Sequence, residues 1–163
     1  MATVALVALL ACKKLTGRGR DAPPDAGSAI TNCAGRSLDP PNAEIVEASD
    51  RGHGYERVSN DLAALSNRYP RSATVLRARG SHELDQTKGS AGHSVPEATR
   101  KPFALRAIDF FKKALGLHEA GCQLAELDLY VTYTGLAEAL SAAGDDAAAK
   151  REHQRIVKRW PRH

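Results

Sequence analysis

A chain of 163 residues is long enough for one domain with a buried core. Only 5 % of it is aromatic, against abundant Ala and Leu, which argues against a sheet and for helices. The net charge of +4 comes from basic residues spread along the chain and reads as solvated surface, so nucleic acid is not an expected partner.

An apolar run from Ala2 to Ala11 leads into Cys12 and then Lys13-Lys14. The run is too short to span a bilayer, which takes ~20 apolar residues. It matches the apolar core of a secretory signal, ~7–15 residues. The residues Leu9-Leu10-Ala11-Cys12 resemble the lipobox of bacterial lipoproteins. That resemblance implies residues 1–11 as a signal peptide and lipid on the sulfur and new amino group of Cys12. It also implies a place in the bacterial cell envelope, anchored to a membrane and facing the periplasm. Lys13, Lys14, Arg18 and Arg20 would then add attraction to anionic head groups. No positive residue precedes the apolar run, which departs from the usual signal-peptide pattern. The other reading of these residues is a buried N-terminal helix with an incidental thiol.

With Cys12 lipidated, Cys33 and Cys122 remain, an even number in an oxidising compartment, and a Cys33–Cys122 disulfide is expected. The alternative is two unpaired small hydrophobes. No two cysteines are near each other in sequence, so no metal or redox site is expected. Residues 12–38 are rich in Gly, Pro, Asp, Ala and Ser and read as a flexible tether.

The rest carries helical periodicity. "YERVSNDLAALSNRYP" spaces Val58, Leu62 and Leu65 by four and three and stops at Pro70. "PFALRAIDFFKKALGLHEAG" puts Ala104, Ala107 or Ile108, Phe111, and Ala114 or Leu115 on one face and stops at Gly121. "QLAELDLYVTYTGLAEALSAAG" is apolar on more than one side, as a helix with two neighbours would be. "DDAAAKREHQRIVKRWP" starts acidic and ends basic, in accord with a helix dipole, before Pro161.

The stretch Tyr130 to His163 resembles one tetratricopeptide repeat. Its large slots hold Tyr133 and Leu140, its Leu-Gly pair reads Leu136-Ala137, and its turn is Gly144-Asp145. Ala149, His153 in the aromatic slot and Pro161 complete it. The departures are Ala for Gly, Leu for Tyr, and His for an aromatic ring. A second copy has Leu76 and Gly80, then Ala107 and Phe111, interrupted by an insertion at about residues 86–102. A fainter copy runs from "NAEIVEAS" through "DRGHGY" to Val58, Leu62 and Pro70. Register across the copies asks for a helix lengthened by two turns in "CQLAELDL". The resemblance implies an all-α fold, an α-α superhelix of about three helical hairpins over residues 39–163. The bland alternative is an irregular helical bundle.

Arrays of this family bind proteins or peptides and do not usually catalyse. By resemblance, the groove residues are Arg77, Ser81 and Leu84 in the second copy and Thr134, Glu138 and Ser141 in the third. The insertion is polar and long, and Asp85, Lys88, His93 and Glu97 are its candidate contacts. Each set has an ordinary alternative, solvated helix surface for the first and a tolerated insertion for the second. The six histidines are scattered, His82-Glu83 lacks the second histidine of a zinc-protease helix, and no phosphate loop or nucleophile elbow occurs. Neither catalysis nor a cofactor is expected. The basic end, "KREHQRIVKRWPRH", reads as a solvated outer face with some attraction for membrane or an acidic partner. The expected function is a membrane-anchored scaffold for protein–protein interaction, and the alternative is a structural, pilot or solute-transport accessory lipoprotein without a peptide groove.

Overall fold

A computed structural model describes residues 40, 42–50, 52–89, 95–122 and 124–161. The expectations for the signal peptide, for Cys12 and Cys33, for the tether and for His93 lie outside the described residues. Six helices make up the regular structure among those described: α1 (Asn42–Ala48), α2 (Tyr55–Arg68), α3 (Ala73–Asp85), α4 (Glu97–Glu119), α5 (Glu126–Ala142) and α6 (Asp146–Arg159). The described chain is therefore all-α.

Local chemistry sets the helix ends. The Val75 amide donates to Ser72 Oγ at 3.0 Å, capping α3. The Ala148 amide donates to Asp145 Oδ1 at 3.0 Å, capping α6. Helices α4 and α5 both stop at a glycine in the left-handed region, Gly121 at φ +98° and Gly144 at φ +88°. Past each glycine an amide reaches back five residues, Cys122 to the Leu117 carbonyl and Asp145 to the Leu140 carbonyl, each at 2.9 Å. Such a backward bond satisfies a carbonyl that the helix itself leaves unpaired. Cys122 is buried and disulfide-bonded, and its partner lies outside the described residues.

Each helix packs on the next along the chain, and α3 also reaches past α4 to touch α5. Helix α2 buries the single stripe Val58, Leu62 and Leu65. Helix α5 buries Leu129, Tyr133, Leu136, Ala137 and Leu140 on several sides, because α3, α4 and α6 all lean on it. A smaller apolar cluster joins Ile45, Val58, Leu62, Leu65 and Val75; a larger one runs from Ala73 and Leu84 to Ile156 and Trp160.

Phe111 of α4 stands at the centre of the larger cluster and is fully buried. A methyl group added to Gly80 of α3 would lie 2.7 Å from its ring, and one added to Gly135 of α5 would lie 2.5 Å away. Both distances are below van der Waals contact. The ring is thus held between two glycines on neighbouring helices, and their missing side chains permit α3, α4 and α5 to meet.

Three details of packing differ from the repeat pattern. His153 is exposed, and Trp160 fills the end of the core in its place. The Trp160 ring meets Tyr130 edge-on at 5.4 Å and Tyr133 at 5.9 Å, and its indole N–H donates to Glu126 Oε1 at 2.8 Å. Helix α4 begins at Glu97, so the segment between α3 and α4 is shorter than residues 86–102 and Pro102 sits inside the helix. Helix α5 begins at Glu126, which gives "CQLAELDL" one helical turn where two were expected.

The glycine contacts and the α5–α6 clasp are both open to measurement. Gly80→Ala and Gly135→Ala should each lower stability by about 1–3 kcal/mol by overpacking. Gly116→Ala, where nothing lies within 4 Å, should raise it by up to ~1 kcal/mol through helix propensity. Denaturant melts of the three variants check this. The Glu126 carboxyl is held below the ordinary carboxylate range, first by the Arg159 hydrogen bond and then by that of Trp160. A lowered carboxylate pKa stabilises above its unfolded value and loses that contribution as pH falls through the folded one. Glu126→Gln should therefore flatten part of the acid limb of stability against pH.

Candidate functional site

A concavity with mixed lining lies where α1, α3 and α5 approach one another. It is a cleft of about 380 Å³, within the usual range for ligand sites. Its apolar wall is Ile45, Val46, Ala78 and Val131, with Val58 of α2 behind. Its polar side is Ser49, Arg77, Ser81 and Asp85. A second depression of about 350 Å³ adjoins it, sharing Val58, His82 and Asp85 and adding His53, Tyr55 and Gln86.

Sequence position explains the walls. The short α1 turns Ile45 and Ala48 toward α2, which leaves Val46 70 % exposed. On α3, Gly80 and Leu84 are one turn apart and share the stripe that faces α4, whereas Arg77 and Ser81 share the next stripe round and face the cleft. Arg77 Nε lies 3.2 Å from Asp128 Oδ1, an ion pair whose geometry falls short of a hydrogen bond. That pair ties α3 to α5 beside the cleft.

A polar cluster braces the adjoining depression. Glu83 is buried, yet its carboxylate accepts from Arg106 Nε at 2.9 Å and from the Tyr55 hydroxyl at 3.2 and 3.3 Å. The Tyr55 ring stacks on His82 at 4.8 Å and meets Phe103 edge-on at 5.6 Å. Arg106 in turn lies over Phe103 at 4.6 Å. Burial works against the Arg106 charge, but the Glu83 hydrogen bond and charge outweigh it and hold the guanidinium above its ordinary value. One carboxylate thus joins α2, α3 and α4 through Tyr55 and Arg106 and acts as a structural brace.

Among the buried polar atoms lining these depressions, Ser49 Oγ in the first and His53 Nδ1 in the second have neither a hydrogen bond nor an ion pair. Buried polar groups are normally paired, so each exception marks strain or a place for a ligand.

The six groove residues expected from the sequence divide. Arg77 and Ser81 line the cleft. Leu84 does not; it is 5 % exposed and belongs to the core, for the stripe reason just given. Thr134 is half-buried and its hydroxyl donates to its own helix, to the Tyr130 and Val131 carbonyls at 3.1 and 3.0 Å. Glu138 is exposed on α5 and pairs with Lys88 at 3.2 Å. Ser141 bonds Asp146 Oδ1 at 3.3 Å across the α5–α6 turn. Of the insertion residues, Asp85 ends α3 and lines both depressions, Lys88 bridges Asp85 and Glu138, and Glu97 is exposed on the first turn of α4. Ile45, Val46, Ser49, His53 and Tyr55 were not foreseen as site residues. The apolar pair Ile45-Val46 inside an otherwise polar helix is the one signal that could have pointed to two apolar faces there.

No helix among the described residues is long and apolar enough to cross a membrane, and no group of three or more His, Cys, Asp or Glu there could hold a metal ion. No family model, curated protein or solved structure matches this chain.

Proposed function

We propose that this chain is a tetratricopeptide-like scaffold that captures a protein or peptide partner in the bacterial cell envelope, anchored through lipid on Cys12. The α1–α3–α5 cleft supports the capture reading. Its apolar wall of Ile45, Val46, Ala78 and Val131 offers a surface for apolar side chains of an extended segment. The carrying observation is the pair of unpartnered atoms, Ser49 Oγ and His53 Nδ1. A buried unpaired polar group costs ~1–3 kcal/mol. The main-chain N–H and C=O groups of a bound peptide would offer those atoms partners where neighbouring side chains shift to admit them. Neighbouring helical hairpins stacked in one direction would present such a cleft on their concave wall; the contact of α3 with α5 accords with that arrangement. The Cys122 disulfide accords with an oxidising compartment, and Cys33 is the partner we propose for it.

Two substitutions separate the parts of this reading. Ser49→Ala should leave the melting temperature equal or slightly higher, because it deletes an unsatisfied group, while photo-crosslinking from position 81 to an envelope protein falls. A lower melting temperature with undiminished crosslinking would refute the capture site. Cys12→Ser should move the protein from the membrane to the soluble fraction; equal partitioning of the two forms would remove the anchor.

A further inference from the structure

The chain's positive charge is not evenly placed. Helix α6 carries five Lys and Arg residues against two acidic ones, a local net charge of +3. Its buried residues are Ala149 and Ile156, which face α5. Two of its cations are engaged: Arg155 with Glu152 at 3.0 Å and Arg159 with Glu126 at 3.4 Å. Lys150, Arg151 and Lys158 are exposed and form no ion pair among the described residues. At 100° per residue, Arg151 and Lys158 point directly away from the buried stripe, and Lys150 lies about a quarter-turn round from them, close to Val157. Val157 is 66 % exposed on the flank of the same face. The last helix therefore presents a strip of unpaired cations with an aliphatic side chain at its edge.

We propose that this outer face of α6 docks on a bilayer surface of anionic phospholipid head groups. The three cations are spread along and round the helix and pair with no carboxylate among the described residues. Such a layout fits a partner that is itself a flat array of negative charge. Val157 is placed to slip between head groups, as apolar residues of interfacial helices do. The proposal rests on the envelope reading for its biological setting. With Cys33 bonded to Cys122, the chain between Cys12 and Cys33, at roughly 3.3 Å per residue, can span up to about 70 Å, enough to let α6 reach the membrane that holds the lipid. Docking there would fix which way the α1–α3–α5 cleft faces.

The test uses the full chain with Cys12→Ser, so that no attached lipid contributes. Sedimentation with phosphatidylcholine vesicles measures whatever the Ala2–Ala11 run adds. Sedimentation with vesicles containing about one-third phosphatidylglycerol measures the electrostatic part. The affinity ratio between the two vesicle types is the readout. Each surface cation is worth about fivefold in affinity. The triple variant Lys150→Gln, Arg151→Gln, Lys158→Gln should therefore lower the ratio roughly a hundredfold, and about 0.5 M salt should do the same. The matched triple Lys101→Gln, Lys112→Gln, Lys113→Gln on α4 should leave it within a few-fold. Far-ultraviolet circular dichroism confirms that α6 stays helical, since Gln is a good helix former. A ratio near one for the parent chain overturns the proposal and leaves the face to an acidic protein. An equal loss in the α4 variant also overturns it, because net charge alone would then account for binding. Failure here leaves the Cys12 anchor standing, since fractionation of lipidated protein tests that separately.

Discussion

The meeting of Phe111 with two glycines is the constraint on which the rest of the structure depends. One aromatic ring fills the space where three helices cross, and it fits because Gly80 and Gly135 contribute no side chain there. Interiors pack at crystal-like density, so a ring held this closely fixes distances to fractions of an ångström. A chain that pairs helices only with their sequence neighbours would need no such device. The contact of α3 with α5 does need it, because α4 would otherwise hold them apart.

The cleft inherits its shape from that approach. With α3 and α5 close, Arg77 reaches Asp128, and Val131 forms a wall opposite Ile45 and Val46. The Glu83 cluster then fixes α2 against α3 and α4, which places Tyr55 and His82 at the edge of the adjoining depression. Lys88 joins the start of the α3–α4 connection to Glu138 of α5. Packing thus positions the polar rim, and the rim leaves two buried atoms, Ser49 Oγ and His53 Nδ1, without partners. The capture reading follows from that deficit, not from any catalytic grouping.

Much of the helical order was legible in the sequence. Apolar spacings marked α2 and α4 because each buries one stripe, acidic and basic ends marked α6, and the glycines at 121 and 144 marked turns because they take up positive φ. Gly80 was legible as a close-approach position. Gly135 was not, because the repeat pattern drew attention to Ala137, two positions on and about 160° around the helix. Leu84 was misplaced because it lies within about 20° of Arg77 round α3 but two turns further on, where it joins the larger core cluster. The cleft was only half legible. Arg77 and Ser81 follow from helix geometry, but Ser49 and His53 depend on how a seven-residue helix and its turn pack against α3, which no local pattern encodes. Trp160 was read only as part of the chain's end, while its indole bond to Glu126 is a long-range contact.

If the meeting of Phe111 with Gly80 and Gly135 organises the fold, these three residues must be energetically coupled, and a double-mutant cycle measures this most directly. The overpacking penalty of Gly135→Ala is compared in the parent and in a Phe111→Ala background, by denaturant unfolding. The account predicts that the penalty disappears or reverses once the ring is gone, a coupling of about 1 kcal/mol or more, within the range found for residues in contact. Additive effects, with Gly135→Ala equally costly in both backgrounds, would contradict it.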